Sequence, residues 1–101
     1  MTIHNKLVRD GIPALLEKKQ EPYKSHIADD LEYSDKLYAK LIEEAGEVAK
    51  DRNKEEVADV LEVLLSLIKL NGWSMNEIEE IRLQKLQKLG GFEDRIILEE
   101  S

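Results

Sequence analysis

Two pairs of acids facing each other across a short turn constrain this chain more than any other feature of it. In KLIEEAGEVAKDRNKEEVADVLE, Lys40 to Glu62, Glu44 stands with Glu47 and Glu56 with Asp59, each pair spaced i, i+3. Residues three apart lie on one face of a helix, so each pair presents two carboxylates side by side. Only eight residues separate Glu47 from Glu56, with the segment DRNK, Asp51 to Lys54, between the helices. A connection that short makes the helices antiparallel neighbours. The spacing therefore predicts four carboxylates converging where the two helices meet.

Periodicity says how deeply the acids sit. At 100° per residue, Leu37, Tyr38, Leu41, Ile42, Ala45, Val48 and Ala49 cover an arc of about 140° on the first helix, with Glu44, Glu47 and Lys40 on its flank. On the second, Val57, Ala58, Val60, Leu61, Val63, Leu64, Leu65, Leu67, Ile68 and Leu70 cover about 240°. Glu56 falls inside that arc and Asp59 just beyond Leu70. An acid held against apolar neighbours is costly unless a cation is supplied or the acid protonates. Lys40 alone is too little positive charge for four acids, and a divalent metal is the simplest supply. The competing reading is a solvated acidic face: with 22 Asp and Glu in 101 residues, i, i+3 pairs also arise by chance.

The segments EEAGE (Glu43 to Glu47) and EVAD (Glu56 to Asp59), with the opening NKLVRDGIP and the late GGF, together resemble the MazG-like group of all-α nucleoside triphosphate pyrophosphohydrolases, relatives of phosphoribosyl-ATP pyrophosphohydrolase. The similarity runs from Asn5 to about Leu98. It implies hydrolysis of a nucleotide between its α and β phosphates to a nucleoside monophosphate and pyrophosphate, a reaction suited to nucleotide-pool house-cleaning. It also implies Mg²⁺, or Mn²⁺ in its place, held by Glu44, Glu47, Glu56 and Asp59. Glu43, beside the first ligand, is the candidate catalytic residue for orienting or deprotonating water, although helical spacing turns it about 80° further from the core. Glu47 is the other candidate for that role. Lys85, ahead of GGF, matches a lysine of the family and is a candidate phosphate contact; with Lys40 it makes the candidate substrate-binding pair. The gap between the acid motifs is shorter than the usual MazG pattern and is similar to a small single-domain branch sharing the NKLVRD opening, which leaves the choice of nucleotide open.

At 101 residues, the chain is expected to form a single domain, residues 1–101, with one modest core. A helix apolar over about 240° of its circumference asks for more neighbours than one such chain provides, so a homodimer or higher homo-oligomer is expected, with Val57 to Leu70 near its interface. The net charge of −7 argues against a nucleic-acid polymer as partner, since phosphate backbones require a basic footprint. A nucleotide substrate remains compatible, because a bound divalent ion inverts the local field. No cysteine implies disulfides, the opening MTIHNKLVRDGIP lacks the apolar run of a signal peptide, and no stretch is apolar enough for a membrane span. A cytoplasmic protein with no membrane partner is expected.

Along the chain, residues 1–10 read as an irregular or extended lead-in with Lys6 and Arg9 exposed, as solvated charges in the first reading and as phosphate contacts in the lesser one. Gly11-Ile12-Pro13 opens a short helix over 13–19. Pro22 breaks the period, and Tyr23 to Ala28 is a candidate short strand to pair with Arg95 to Leu98. His26 has no ligand-spaced partner and reads as a surface residue. Asp29 or Asp30 caps the long helix running to Lys50, and Asn53 caps the next, with Glu55 and Glu56 in a first turn where the macrodipole favours acids. Asn71-Gly72 stops that helix. Ser74 and Glu77 spell a capping box for the last one, which carries Ile78, Ile81, Leu86 and Leu89 on one side and Arg82, Lys85 and Lys88 on another. Trp73 reads as packing.

The fold class is therefore all-α, an antiparallel bundle of about four helices with one minor strand pair. The leading functional reading is the pyrophosphohydrolase. Its rivals are a non-catalytic helical oligomerisation or partner-binding module whose acids are only solvated, and phosphoribosyl-ATP hydrolysis by the same chemistry.

Overall fold

The computed structural model describes residues 2–101 and is all-α among them, with helices α1 (Ile12–Lys18), α2 (Asp30–Asp51), α3 (Lys54–Leu70) and α4 (Met75–Leu89). α1 opens at Gly11-Ile12-Pro13 without a side-chain cap, whereas α2, α3 and α4 start at capping residues of the sequence. Asp29 accepts from the Glu32 amide at 2.8 Å and Asn53 from the Glu56 amide at 3.0 Å. Ser74 Oγ accepts from the Glu77 amide at 3.1 Å, while Glu77 Oε1 accepts from the Ser74 amide at 3.0 Å. Each satisfies amide groups that have no partner inside the helix.

Only Arg52 and Asn53 separate α2 from α3. The reversal depends on Arg52, which adopts a left-handed conformation at φ 53° and ψ 47°. Its amide donates to the Val48 carbonyl at 2.9 Å and its Nε to the Ala49 carbonyl at 3.1 Å, so the open end of α2 is closed by the residue that leaves it. The turn is tighter than DRNK suggests, because Asp51 and Lys54 both belong to helices.

α2 and α3 pack along their length, and the core lies between them: Leu37, Val63 and Leu67 are buried, with Leu7, Tyr33, Leu41 and Leu70 partly buried against them. Leu7 comes from the N-terminal segment, which crosses the helix pair before α1. The apolar arc of α3 is only partly covered. Val57, Leu61 and Leu64 face solvent, as does Ile42 on α2.

Two expectations fail. No strand forms among the described residues, and 23–28 and 95–98 run without regular pairing, with Ile96, Ile97 and Leu98 each more than three-quarters exposed. Trp73 is half exposed rather than packed. The α4 side chains Ile81, Leu83, Leu86 and Leu89 also face outward. The chain is consequently elongated, 53 × 31 × 25 Å, with a radius of gyration of 17.8 Å against about 13 Å for a compact chain of this length. No helix among the described residues is long and apolar enough to cross a membrane.

Candidate metal centre

The antiparallel α2–α3 pair gathers five acids near the turn. Glu44, Glu56 and Asp59 each offer a carboxylate oxygen within 4.8 Å of the others, and so do Glu47, Asp51 and Glu56. The four acids read from the sequence are therefore brought together, as two groups joined at Glu56. Asp51 is an addition. Sequence reasoning treated it as part of the turn, but α2 continues through it and places it one helical turn beyond Glu47.

Glu44, Glu47, Glu56 and Asp59 are half-buried and Asp51 is exposed. Partial loss of solvent raises the Glu56 pKa above its ordinary value, and the charges of Asp51, Asp59, Glu47 and Glu44 raise it further. Glu56 thus stands at the centre of an acidic field. Its position in the first turn of α3 offsets part of that repulsion through the helix dipole.

Three cations border the acids. Lys40 Nζ, largely withdrawn from solvent, lies 3.4 Å from Glu44 Oε1 and 3.5 Å from Glu43 Oε2. Lys6 Nζ lies 3.1 Å from Glu43 Oε1, and Arg9 Nη2 donates to Asp59 Oδ1 at 2.8 Å. Lys6 and Arg9 are exposed, as expected of a lead-in, but each is ion-paired with an acid of the helix pair. Among the described residues, Glu47, Asp51 and Glu56 have no cation within ion-pair distance.

Glu43, the candidate catalytic residue, belongs to neither acid group and sits between Lys6 and Lys40. Partial burial acts to raise its pKa, but the Lys6 hydrogen bond and the charges of Lys40 and Lys6 outweigh it and hold the carboxyl below its ordinary value. That makes it a weaker proton acceptor than an ordinary glutamate. Lys85 is exposed on α4 and has no ion-pair partner among the described residues, while its neighbour Arg82 pairs with Glu79. His26 is an exposed residue paired with Glu32 at 2.9 Å, as its isolation in the sequence suggested.

The donor set fits a hard divalent cation. It consists of carboxylate oxygens, without sulfur or imidazole, which suits Mg²⁺, Mn²⁺ or Ca²⁺ rather than softer metals. Mg²⁺ in particular is commonly held by one or two carboxylates together with waters and substrate phosphates, and this open acidic face supplies both the carboxylates and the room. No family model, curated protein or solved structure matches this chain.

Proposed function

We propose that the α2–α3 acids bind a divalent cation, Mg²⁺ with Mn²⁺ as its substitute, and that the chain hydrolyses a nucleoside triphosphate or a related nucleotide between its α and β phosphates. The observation that carries this reading is the gathering of acids from two helices into two adjoining groups, Glu44 with Glu56 and Asp59, and Glu47 with Asp51 and Glu56, which share Glu56. The resemblance of EEAGE, EVAD, NKLVRDGIP and GGF to the MazG-like pyrophosphohydrolases supports it.

The cation, when bound, neutralises phosphate charge and fixes the polyphosphate against the acids. The side chains of this protein then have separable tasks. Glu44, Glu56, Asp59 and Glu47 hold the cation. Lys40, anchored between Glu43 and Glu44, presents positive charge at the border of the site. In the hydrolysis, the oxygen of a water forms a bond to phosphorus, the bridging P–O bond breaks, and its electron pair leaves with the departing phosphate group. The water's proton passes to Glu43 or, as the alternative, to Glu47. The Lys6 hydrogen bond and the charges of Lys40 and Lys6 hold the Glu43 carboxyl below its ordinary pKa, which disfavours Glu43 in that role.

A homo-oligomer belongs to the same reading. The protomer exposes 9338 Å², whereas mass scaling gives about 5,800 Å² for a compact monomer of its size. The excess is of the size that obligate interfaces cover, and the exposed apolar residues of α3, α4 and 96–98 are its natural content. The same reading places the protein in the cytoplasm, where such a nucleotide substrate is found; no helix among the described residues is long and apolar enough to cross a membrane.

The same exposed apolar surface favours a second reading, a helical assembly module whose acids are only solvated. Incubating the protein with a panel of nucleoside triphosphates and Mg²⁺ and separating the products decides between them. Monophosphate with pyrophosphate is expected. Diphosphate with orthophosphate, or no hydrolysis of any member, overturns the assignment.

A further inference from the structure

The segment Asn5–Arg9 is fixed across the α2–α3 pair by contacts that do not involve its charges. Leu7 packs against the buried core, and Lys36 Nζ donates to the Asn5 carbonyl at 2.8 Å. Asn5 itself has a positive φ of 46°, a conformation that asparagine tolerates better than most residues. From this anchored segment Lys6 reaches Glu43 on α2 and Arg9 reaches Asp59 on α3, one cation toward each wall of the acid site.

These ion pairs are exposed, and exposed pairs contribute little to folding. Their partners can therefore be exchanged at small cost to the fold. Arg9 directs one hydrogen bond at Asp59 out of the five N–H groups a guanidinium carries. A planar fork with donors to spare, held at the edge of carboxylates that bind metal, has the chemistry that recognises phosphate oxygens. The charge balance demands it as well. A nucleoside triphosphate carries more negative charge than one divalent cation neutralises, and five acids line this face.

Resting on the metal-dependent reading above, we propose that Arg9, with Lys6 beside it, is a substrate-binding residue that contacts the non-bridging oxygens of the polyphosphate. In the free protein Arg9 occupies Asp59. Were a cation to engage Asp59, the Arg9 guanidinium would be free to turn its donors to the phosphates while Leu7 and the Asn5 carbonyl keep the segment in place.

Calorimetric titration of Mn²⁺ alone, and of inorganic triphosphate in excess Mg²⁺, into the wild-type protein and Arg9→Gln, Arg9→Lys and Lys36→Met tests this. Arg9→Gln is expected to bind Mn²⁺ at least as tightly as the wild type, since Asp59 is released. Its affinity for magnesium triphosphate falls by about 10-fold or more, the usual cost of one charge-assisted hydrogen bond. Arg9→Lys recovers part of that affinity. Lys36→Met, which loosens the segment while keeping both cations, weakens triphosphate binding less than Arg9→Gln does. Unchanged triphosphate affinity in Arg9→Gln overturns the assignment of Arg9, and so does a parallel loss of Mn²⁺ binding, which marks a purely structural role. A wild-type protein that binds no Mn²⁺ fails at the earlier step, the metal reading, and takes this inference with it.

Discussion

A carboxylate oxygen of Glu44 on α2 and one of Asp59 on α3 lie within 4.8 Å of each other and of Glu56. The chain reverses between them in two residues, Arg52 and Asn53. The acid site is thus a product of the turn, and its geometry depends on the residues that close α2 and open α3.

The cap of α3 is one such residue. Asn53 accepts from the Glu56 amide at 3.0 Å and so fixes the first turn that carries Glu56. Asn53→Ala is expected to cost about 1 kcal/mol and to weaken Mn²⁺ binding, because fraying of that turn disperses Glu56. Chemical denaturation and a metal titration on the same variant check both effects.

Glu56 predicts an unusual pH dependence of stability. Loss of solvent, then the charges of Asp51, Asp59, Glu47 and Glu44, raise its pKa in the folded chain. A carboxyl that binds its proton more tightly when folded than when unfolded favours folding while protonated, and that advantage disappears as pH rises from the unfolded pKa through the folded one. At neutral pH the ionised group therefore destabilises the metal-free protein. Glu56→Gln is expected to melt higher than the wild type in EDTA at neutral pH, with the difference vanishing below about pH 4, where carboxylates protonate. Glu43 has the opposite sign. Its lowered pKa stabilises the fold above the unfolded pKa, and that contribution is lost as pH falls through the folded value.

The core is small enough that one truncation is decisive. Leu67 is 6% exposed and is one of three buried hydrophobic side chains among the described residues. Leu67→Ala is expected to cost about 2–5 kcal/mol, a large part of the stability of a domain of this size. Urea denaturation monitored by circular dichroism gives the figure.

Surface burial predicts the oligomeric state. Light scattering after size exclusion is expected to return a multiple of the 11.6 kDa protomer at micromolar concentration. Leu61→Asp, at a position 54% exposed in the protomer, is expected to shift that mass downward. A wild-type monomer contradicts the covered-surface account.

The helices were legible because their boundaries are written in local chemistry: Asp29, Asn53 and Ser74 each satisfy amides within three residues of themselves. The four acids were legible for a related reason, since i, i+3 spacing and a short turn suffice to bring them together. Asp51 was missed because a turn-like sequence, DRNK, was read as wider than the two residues that make the reversal. Lys6 and Arg9 were missed because their partners stand 37 and 50 positions away, and no local pattern encodes such a pairing. The strand pair failed for a different reason. The apolar run at 95–98 suits a strand, but a strand needs a partner edge to pair with, and neither 95–98 nor 23–28 adopts strand structure. Trp73 and the α4 stripe were read as packing, but apolar character alone does not supply a neighbour, and the chain leaves Trp73, Ile81, Leu86 and Leu89 uncovered.

Metal binding tests the central claim most directly. Thermal unfolding of the wild type is to be measured with Mg²⁺ raised from zero to saturation, alongside Glu44→Gln, Glu56→Gln and Asp59→Asn. A ligand at a hundred times its Kd stabilises the folded state by about 2.7 kcal/mol, which for a domain of this size is a Tm increase of roughly 10 °C or more. That increase is predicted for the wild type and is predicted to vanish in the three variants. A wild-type Tm indifferent to Mg²⁺ and Mn²⁺, or an equal increase in all four proteins, contradicts a cation held by these acids.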